Sequence, residues 1–521
     1  MKKTTVTTVI LAGILLAPSA AWAQYRTKNE PEETPKTETE LILEQASSSE
    51  TPVIITLEQA LEIALSENVS VKVADMEIQR TEYAKKGSYA SLFPQIDASG
   101  SYQRTIKKQV MYMDFDMSSI MGGGGTDIPG GSTDGTTDGA TDGTTGGVTD
   151  GSTPSGDQSA SSGSSSGSSS GGGLEVGRLN TIGIGVSASM PLVNAQLWKS
   201  LKISGMDVEL AVEKARASRL DMVTQVKNAY FATLLAKEAF NVYKEVYENA
   251  VQNYGETEKK YNAQKASEME LLRAKTTVAN AIPNVYNAES SVILALWQLK
   301  AVLGVDLDMN IDIAGALEDY SQQMFYDIHQ HDSISLDRNT TMKQLAIQAE
   351  QLAENIKLQK YANIPSLAVA FNFTFSTMAN DVSFSQMQWT PYSYVGLSLN
   401  IPIFAGGKRY QAIRQAKNQY QQVQLQTVNT ERQLKIAIRQ SLNTMETNMK
   451  SYYAAKDAVA AAQKGYDITE KSYQVGRSTL LELNDAQLAL TQAKLSESQA
   501  IYNFVTAKAQ LEQTLGQDFI Q

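Results

Sequence analysis

The chain has 521 residues, a formal net charge of -11 at pH 7, a hydrophobic share of 42% and no cysteine. The lack of cysteine excludes disulfides, thiolate metal sites and a cysteine nucleophile, and the negative charge argues against nucleic acid as a partner. No phosphate-binding loop, GxSxG elbow or HExxH helix is present, so we expect no catalytic residue and no cofactor, and we interpret His329 and His331 as an exposed loop pair rather than a metal site.

The N-terminus has the features of a secretory signal peptide over residues 1–23. Lys2 and Lys3 precede an apolar run that ends in a small-residue motif at Ala23. Residues 24–52, rich in Glu, Thr, Pro and Ser, predict a disordered acidic tether. No cysteine follows as a lipid attachment site, and no later run reaches the roughly 18 apolar residues of a transmembrane helix. The exported chain is therefore expected to be soluble or to form a β-barrel.

Long helices are the dominant predicted element. Thr56 and Gln59 form a capping box that opens a helix predicted to run with few breaks to about Leu92. Further helical blocks are predicted at 197–254, 267–303, 340–361, 407–471 and 479–515. A helix of about 55 residues is roughly 80 Å long. The narrow apolar stripes of these helices favour coiled-coil-like packing over a thick core.

Four segments between the helices alternate apolar with small or polar residues. They are residues 94–103, 181–191, 366–376 and 394–402. Such strands fit a transmembrane barrel, and the residues that would form its aromatic girdle are Tyr102, Tyr112, Trp389, Tyr392 and Tyr394. Four strands of a soluble sandwich are the alternative. Because the smallest membrane barrels have about eight strands, the membrane interpretation requires several chains to share one barrel.

The pattern of strands and helices occurs twice along the chain. Pro191 and Pro402 each end a strand, whereas Pro94 and Pro365 each begin one. The spacing between the two prolines that begin strands is larger than the spacing between the two that end them. The extra residues fall in a Gly/Ser/Thr/Asp-rich loop at 113–178, which is expected to be disordered. The sequence therefore predicts a first structural repeat at 53–304 and a second at 337–521.

Two similar turns occur, one in each repeat, "YNAQKASEMELLRAK" at 261–275 and "YQVGRSTLLELNDAQ" at 473–487. In each turn a hydroxyl residue is followed three positions later by a glutamate, which predicts a capping box at the start of an outgoing helix. These pairs are Ser267 with Glu270 and Thr479 with Glu482. Gly476 suits the chain reversal in the second turn. Because Gln264 takes its place in the first, that turn is expected to be built differently.

Three stretches carry a resemblance to a known family, "ITLEQALEIAL", "IPIFAGGKR" and "YQVGRSTLLELNDAQ". With the repeated order of helix, two strands and two long helices, the chain resembles the TolC-like outer-membrane efflux proteins over residues 53–517, apart from the loop insertion. The resemblance implies an α+β fold in which a trimer shares one twelve-stranded transmembrane β-barrel, with four strands per chain. A long antiparallel α-helical tunnel, coiled-coil-like, would continue the barrel into the periplasm. Residues 305–336 would form part of an equatorial segment.

The same resemblance implies a gate at the second turn. Glu482 and Asp485 of three chains would form two rings of carboxylates at the narrowest part of the closed tunnel, and Tyr473 would belong to the latch that holds it shut. Glu270, at the equivalent place in the first turn, is a further gate candidate. Capping alone is the alternative for Glu270 and Glu482. It does not explain Asp485, which lies on the same helix face as Glu482.

The tips of both turns would contact a periplasmic adaptor protein. The candidate contacts are Gln264, Lys265, Ala266, Gly476, Arg477 and Ser478. The sequence departs from the family pattern at the latch arginine, because Ser478 takes its position and Arg477 precedes it. The implied function is a homotrimeric outer-membrane exit duct of a tripartite efflux or type I secretion system. It would passively export cargo delivered by an inner-membrane pump of RND or ABC type.

Two other classes of protein are alternatives. An exported structural or adhesive protein with a coiled-coil stalk would show no tandem strand–helix symmetry and no matching prolines, both of which are present here. An exported enzyme would need a convergent set of acids, bases or metal ligands, and the sequence has no motif of that kind. We therefore favour the duct.

Overall fold

The computed structural model describes residues 52–111, 174–324, 335–380 and 387–517. These residues form two compact units, which we call the helical unit and the sheet unit. The helical unit comprises the described residues of Met1–Phe93, Pro191–Leu367 and Leu399–Gln521, and the sheet unit those of Pro94–Met190 and Ala368–Ser398. The predicted signal peptide, the tether up to residue 51, the loop at 113–173 and both histidines lie outside the described residues.

Seven α-helices lie in the described ranges. They are α1 (Leu57–Glu67), α2 (Val69–Ala90), α3 (Ala195–Asn262), α4 (Glu268–Leu303), α5 (Thr340–Tyr361), α6 (Lys408–Gln474) and α7 (Leu480–Leu515). Each predicted helical block is helical in the structure, although the first consists of two helices. With 68 and 67 residues, α3 and α6 are each about 100 Å long. None of the helices in the described ranges has both the length and the apolarity to cross a bilayer.

Two predicted helix boundaries are wrong. The predicted helix from Thr56 to Leu92 is broken at Asn68, whose backbone is extended and whose Oδ1 accepts a hydrogen bond of 2.7 Å from the Ser70 amide as the cap of α2. In the other case, α3 continues through Gly255 to Asn262 instead of ending near 254. A lone glycine inside a helix costs only about 1 kcal/mol, and the turn that follows it is held in place by packing, since Thr257 is fully buried.

A buried junction joins helix ends in each half of the helical unit. The Nδ2 of Asn68, the cap of α2, donates to the carbonyl of Val302 at 2.7 Å, and Asn339, the cap of α5, donates to that of Thr514 at 2.6 Å. A left-handed glycine ends the helix that accepts each bond, Gly304 after α4 and Gly516 after α7. Each half thus repeats one cap-to-cap contact, which we did not predict from the sequence.

The long helices pack as two hairpins, α3 with α4 and α6 with α7. The largest apolar core of the helical unit includes Ile55, Tyr230, Leu299, Ile438 and Phe504. A short parallel pair that was not predicted, β1 (Val53–Ile55) with β6 (Ile311–Ile313), packs on this core. The described part of residues 305–336, the predicted equatorial segment, contains β6 and a 3₁₀ helix at Leu317–Gln323.

The sheet unit contains the four predicted strands in one sheet of order β2-β5-β7-β8. Their bounds are β2 (Gln95–Arg104), β5 (Asn180–Val193), β7 (Ser366–Ala379) and β8 (Thr390–Asn400), and the short strands β3 (Gln109–Met111) and β4 (Leu174–Val176) form a separate antiparallel pair. The prediction that Pro191 ends a strand is wrong, since β5 continues to Val193. Pro191 lies beyond the stretch paired with β2, so its missing N–H breaks no bond of that ladder.

The register of β2 and β5 places apolar residues on a common face, as the alternation predicts. In this antiparallel pair Ile96 lies opposite Ala188, and Ala98 lies opposite Val186. Of the predicted girdle residues, Tyr102, Tyr392 and Tyr394 lie within strands, Trp389 precedes β8 and stacks on Phe375, and Tyr112 lies outside the described residues. The chain thus has a helix-dominated α+β fold with an antiparallel sheet.

Candidate functional site

The two helix-reversing turns have the same construction, which corrects the expectation that the first is built differently. Gln264 adopts a left-handed φ of 57° and Gly476 a φ of 78°. Each turn closes with a Schellman pattern in which the residue after the left-handed position bonds back to the preceding helix. These bonds run from Lys265 N to Lys260 O and from Arg477 N to Ser472 O, each at 2.8 Å. Glycine is thus a preference at this position and not a requirement.

Replacing Gln264 by Gly is expected to stabilise the first turn by about 1 kcal/mol, because a side chain at positive φ costs roughly that much. Hydrogen exchange at the Lys265 amide, which is bonded to Lys260, should become about fivefold slower. The matched change Gly476→Gln should speed exchange at the Arg477 amide by a similar factor. Equal rates in Gln264→Gly and the unchanged chain would show that Gln264 carries no strain.

Both predicted capping boxes form. The Ser267 and Thr479 amides donate to the carboxylates of Glu270 and Glu482 at 3.0 and 2.8 Å, and the glutamate amides donate back to the hydroxyl oxygens. One oxygen of each glutamate is therefore held by its own helix end. Asp485, one turn further along α7, is exposed and has no side-chain partner among the described residues.

Tyr473 is buried and ties the second hairpin to the first. Its hydroxyl lies 2.6 Å from Oγ1 of the fully buried Thr257, which itself donates to the carbonyl of Asn253 at 2.8 Å. Since a threonine hydroxyl has one proton, Tyr473 is the donor to Thr257. Lys260 lies 4.3 Å from the centroid of the Tyr473 ring and donates to the Tyr473 carbonyl at 2.9 Å. One tyrosine thus has a hydrogen-bond partner and a cation–π contact on α3.

Arg477 does not take part in this contact. It is exposed, and its side chain makes no hydrogen bond or ion pair with other described residues, while Ser478 is half-buried. Lys260 supplies the cation instead. Neither Lys260 nor Thr257 was identified from the sequence, because both lie in an uninterrupted helix far before Tyr473 in the chain.

A small apolar cluster surrounds Tyr473 and draws members from both hairpins. Its buried members are Ala274 of α4, Tyr466 and Tyr473 of α6, and Leu480, Leu483 and Leu490 of α7. Burial raises the pKa of Tyr466 to about 12. Above the cluster, Asn484 of α7 donates to Thr277 of α4 at 3.2 Å. The two hairpins therefore meet along packed apolar and hydrogen-bonded side chains of one chain.

The tips of the two turns are open to solvent. Gln264, Lys265, Gly476 and Arg477 are exposed, and Ala266 is partly buried. Between α4 and α7 lies an open groove of about 590 Å³, lined in part by Met269, Leu272, Arg273, Thr276, Leu480 and Leu481. The structure brings the predicted tip residues to one end of the helical unit, with an apolar groove beside them.

Two solved structures with a similar fold are outer-membrane channels. The chain is similar to the outer-membrane channel CmeC of Campylobacter jejuni with a TM-score of 0.62 at 17% identity, over 94% of this chain and 93% of that one. It is also similar to the open state of the outer-membrane channel MtrE of Neisseria gonorrhoeae, with a TM-score of 0.60 at 16% identity over 88% of each chain. The fold is thus one found in outer-membrane channels.

The sequence places the chain in a family. The family model named Outer membrane efflux protein matches residues 150–305 and 333–517, and the chain belongs to this family. The chain is 21% identical to Outer membrane protein TolC of Escherichia coli strain K12 over 350 residues, which span 65% of this chain and 70% of that one. It is 20% identical to the alkaline protease secretion protein AprF of Pseudomonas aeruginosa over 330 residues, 63% of this chain and 68% of the relative.

These comparisons confirm the family resemblance seen in the sequence. The protein is an outer-membrane efflux or secretion duct with a helical portion in the periplasm.

Proposed function

We propose that this chain is one protomer of a homotrimeric exit duct whose strands cross the outer membrane. The observation that carries the proposal is the exposure of the apolar strand face. Val395 and Leu397 of β8 are each 71% exposed, and Ile96 of β2 and Ile184 of β5 are also exposed. Apolar side chains at alternate positions of a strand are normally buried away from water. On the outside of a membrane barrel they are buried in lipid.

The order of the sheet supports the sharing of this barrel between chains. In the order β2-β5-β7-β8, β2 and β8 are edge strands with unpaired backbone groups along one side. Such edges are not tolerated in lipid, where every backbone group needs a partner. Pairing β8 of one chain with β2 of the next removes all edges after three chains and gives twelve strands. In this proposal the two tandem repeats, 53–304 and 337–521, flank the equatorial segment 305–336.

The tips form the gate of the proposed duct. Tyr473, held by Thr257 and Lys260, keeps the second hairpin against the first. Glu482 and Asp485 follow in the first turns of α7, so three chains would present two rings of carboxylates. Glu270 occupies the matching place in the first hairpin.

The exposed tips and the groove beside them are the proposed contact with a periplasmic adaptor. Arg273 lines the groove together with the apolar residues Met269 and Leu272, and Lys265 and Arg477 are exposed at the tips. An inner-membrane pump, of RND or ABC type, would supply the energy through this adaptor, so the duct itself needs no catalytic residue. Relatives include both a secretion protein, AprF, and a probable efflux pump outer membrane protein, TtgC of Pseudomonas putida. The presence of both secretion and efflux proteins among the relatives supports a passive duct whose cargo is selected by the pump.

The oligomeric state tests the proposal. Protein extracted from outer membranes in mild detergent is expected to be a trimer by light scattering, and chemical cross-linking should join β2 of one protomer to β8 of another. A flexible thiol-reactive cross-linker is expected to link the pair Ala98→Cys with Leu397→Cys between protomers, and Ala98→Cys alone is the control. A monodisperse monomer would refute the shared barrel.

A further inference from the structure

A buried carboxylate in the helical unit is surrounded by three lysines. Glu354 of α5, whose side chain is 4% exposed, accepts hydrogen bonds from Lys199 at 2.8 Å and from Lys202 and Lys357 at 2.9 Å each. Hydrogen bonds from the three ammonium groups lower the pKa of Glu354 to about 2. The carboxylate is therefore ionised at physiological pH, and its one negative charge faces three positive ones.

The lysines have binding capacity that Glu354 does not use. Each ammonium carries three N–H donors, and the side chains of Lys202 and Lys357 are half exposed. Both bind the same oxygen, Oε1, so their nitrogens lie no more than twice 2.9 Å apart. Glu350, a further carboxylate near Lys202, lies 3.9 Å away and is largely exposed. Two close cations with free donors suit an anion that has several oxygens, such as a phosphate.

The place of the cluster in the chain favours a lipid as the source of that phosphate. Lys199 lies six residues after Val193, the end of β5, and Lys357 lies nine residues before Ser366, the start of β7. Trp198, next to Lys199, is 61% exposed. Tryptophan and lysine a few residues beyond the end of a membrane strand are typical of the headgroup layer.

We propose that Lys199, Lys202 and Lys357 bind the phosphate of an anionic phospholipid at the membrane surface, with Trp198 beside its glycerol and acyl region. The inference rests on the proposed function, since these lysines lie within nine residues of strands that are proposed to cross the membrane. Glu354 holds the three ammonium groups together in the absence of lipid, so the site is preformed. A free phosphate ion shares the headgroup chemistry but has no apolar part for Trp198.

Lipid retention by the trimer tests the site. Detergent-solubilised trimer is titrated with phosphatidylglycerol or phosphatidylcholine, and bound lipid is counted by native mass spectrometry. Lys202→Gln with Lys357→Gln is expected to weaken phosphatidylglycerol binding about tenfold and to leave phosphatidylcholine binding unchanged. The control, Lys435→Gln with Lys450→Gln, makes the same charge change at exposed lysines of α6 and should bind like the unchanged chain.

Competition with inorganic phosphate distinguishes a phospholipid from a free phosphate ion as the ligand of the three lysines. Phosphate at the lipid's concentration should not displace phosphatidylglycerol, and displacement would overturn the lipid assignment in favour of a free anion. Equal lipid binding by both double variants would also overturn it.

Conductance in planar bilayers, measured on the same preparations, keeps this inference separate from the proposed function. A lysine variant that conducts normally and retains the lipid as tightly as the unchanged chain refutes the lipid site alone. Failure of the unchanged chain to form channels would refute the proposed shared barrel.

Discussion

The combined change Glu482→Gln and Asp485→Asn is expected to relieve block of the channel by divalent and trivalent cations added from the periplasmic side. In the proposed trimer six carboxylates face one narrow axis. At about 6 Å and an effective dielectric between 80 and 20, each like-charged pair costs roughly 0.7 to 3 kcal/mol. The closed state therefore needs bound cations or protons. The half-blocking concentration should rise at least about tenfold, which corresponds to about 1.4 kcal/mol.

Asp485 should account for most of this effect. The carboxylate of Glu482 is held by the Thr479 amide at 2.8 Å, whereas Asp485 is exposed and has no partner among the described residues. Asp485→Asn alone is thus expected to relieve more block than Glu482→Gln alone. The control removes two acids of α6 that already pair with lysines, Glu431→Gln with Glu446→Gln. Undiminished block in the Glu482 and Asp485 double variant would place the gate elsewhere.

Features set by neighbouring residues could be predicted from the sequence. The capping boxes opened by Thr56, Ser267 and Thr479 follow a four-residue pattern, and all three form. The four strands follow from alternation over about ten residues, which depends only on the pleat. The turn at Gln264 was predicted wrongly because glycine is preferred at its left-handed position. The sequence does not show the packing energy that lets glutamine adopt that conformation. The turn at Gln264 tolerates a cost of about 1 kcal/mol because both flanking helices fix its ends.

Contacts between distant helices could not be predicted. The repeat aligns Tyr261 with Tyr473, yet Tyr261 is exposed and Tyr473 is buried against Thr257. The difference depends on how one hairpin lies against the other, and a single sequence carries no signal for that register.

The buried caps of α2 and α5 could have been found from the sequence. Asn68 and Asn339 have the same spacing along the chain as Pro94 and Pro365, so the repeat did contain a signal for them.

Gly516→Ala is expected to lower the free energy of unfolding of the helical unit by at least about 3 kcal/mol. The residue has a φ of +68°, which alone costs a side chain about 1 to 2 kcal/mol. An added Cβ would also collide with the carbonyl oxygen of Arg338 and lie 2.7 Å from its carbon. The Arg338 carbonyl cannot easily move away, because the Arg216 guanidinium donates hydrogen bonds to it at 3.1 Å and to the Gly516 carbonyl at 2.8 Å.

Gly476→Ala is the matched control for this collision. Gly476 has a similar φ of +78°, but a Cβ there would meet no atom within 4 Å. Replacing Gly476 by Ala should lower the free energy of unfolding only by the cost of the backbone strain, about 1 kcal/mol. Loss of helical circular dichroism in denaturant, followed for both variants in the same detergent, gives the two midpoints to compare. If the two midpoints fall equally, backbone strain alone determines the loss of stability at both sites. The close approach of Gly516 to the Arg338 carbonyl would then not stabilise the junction between the end of α7 and the start of α5.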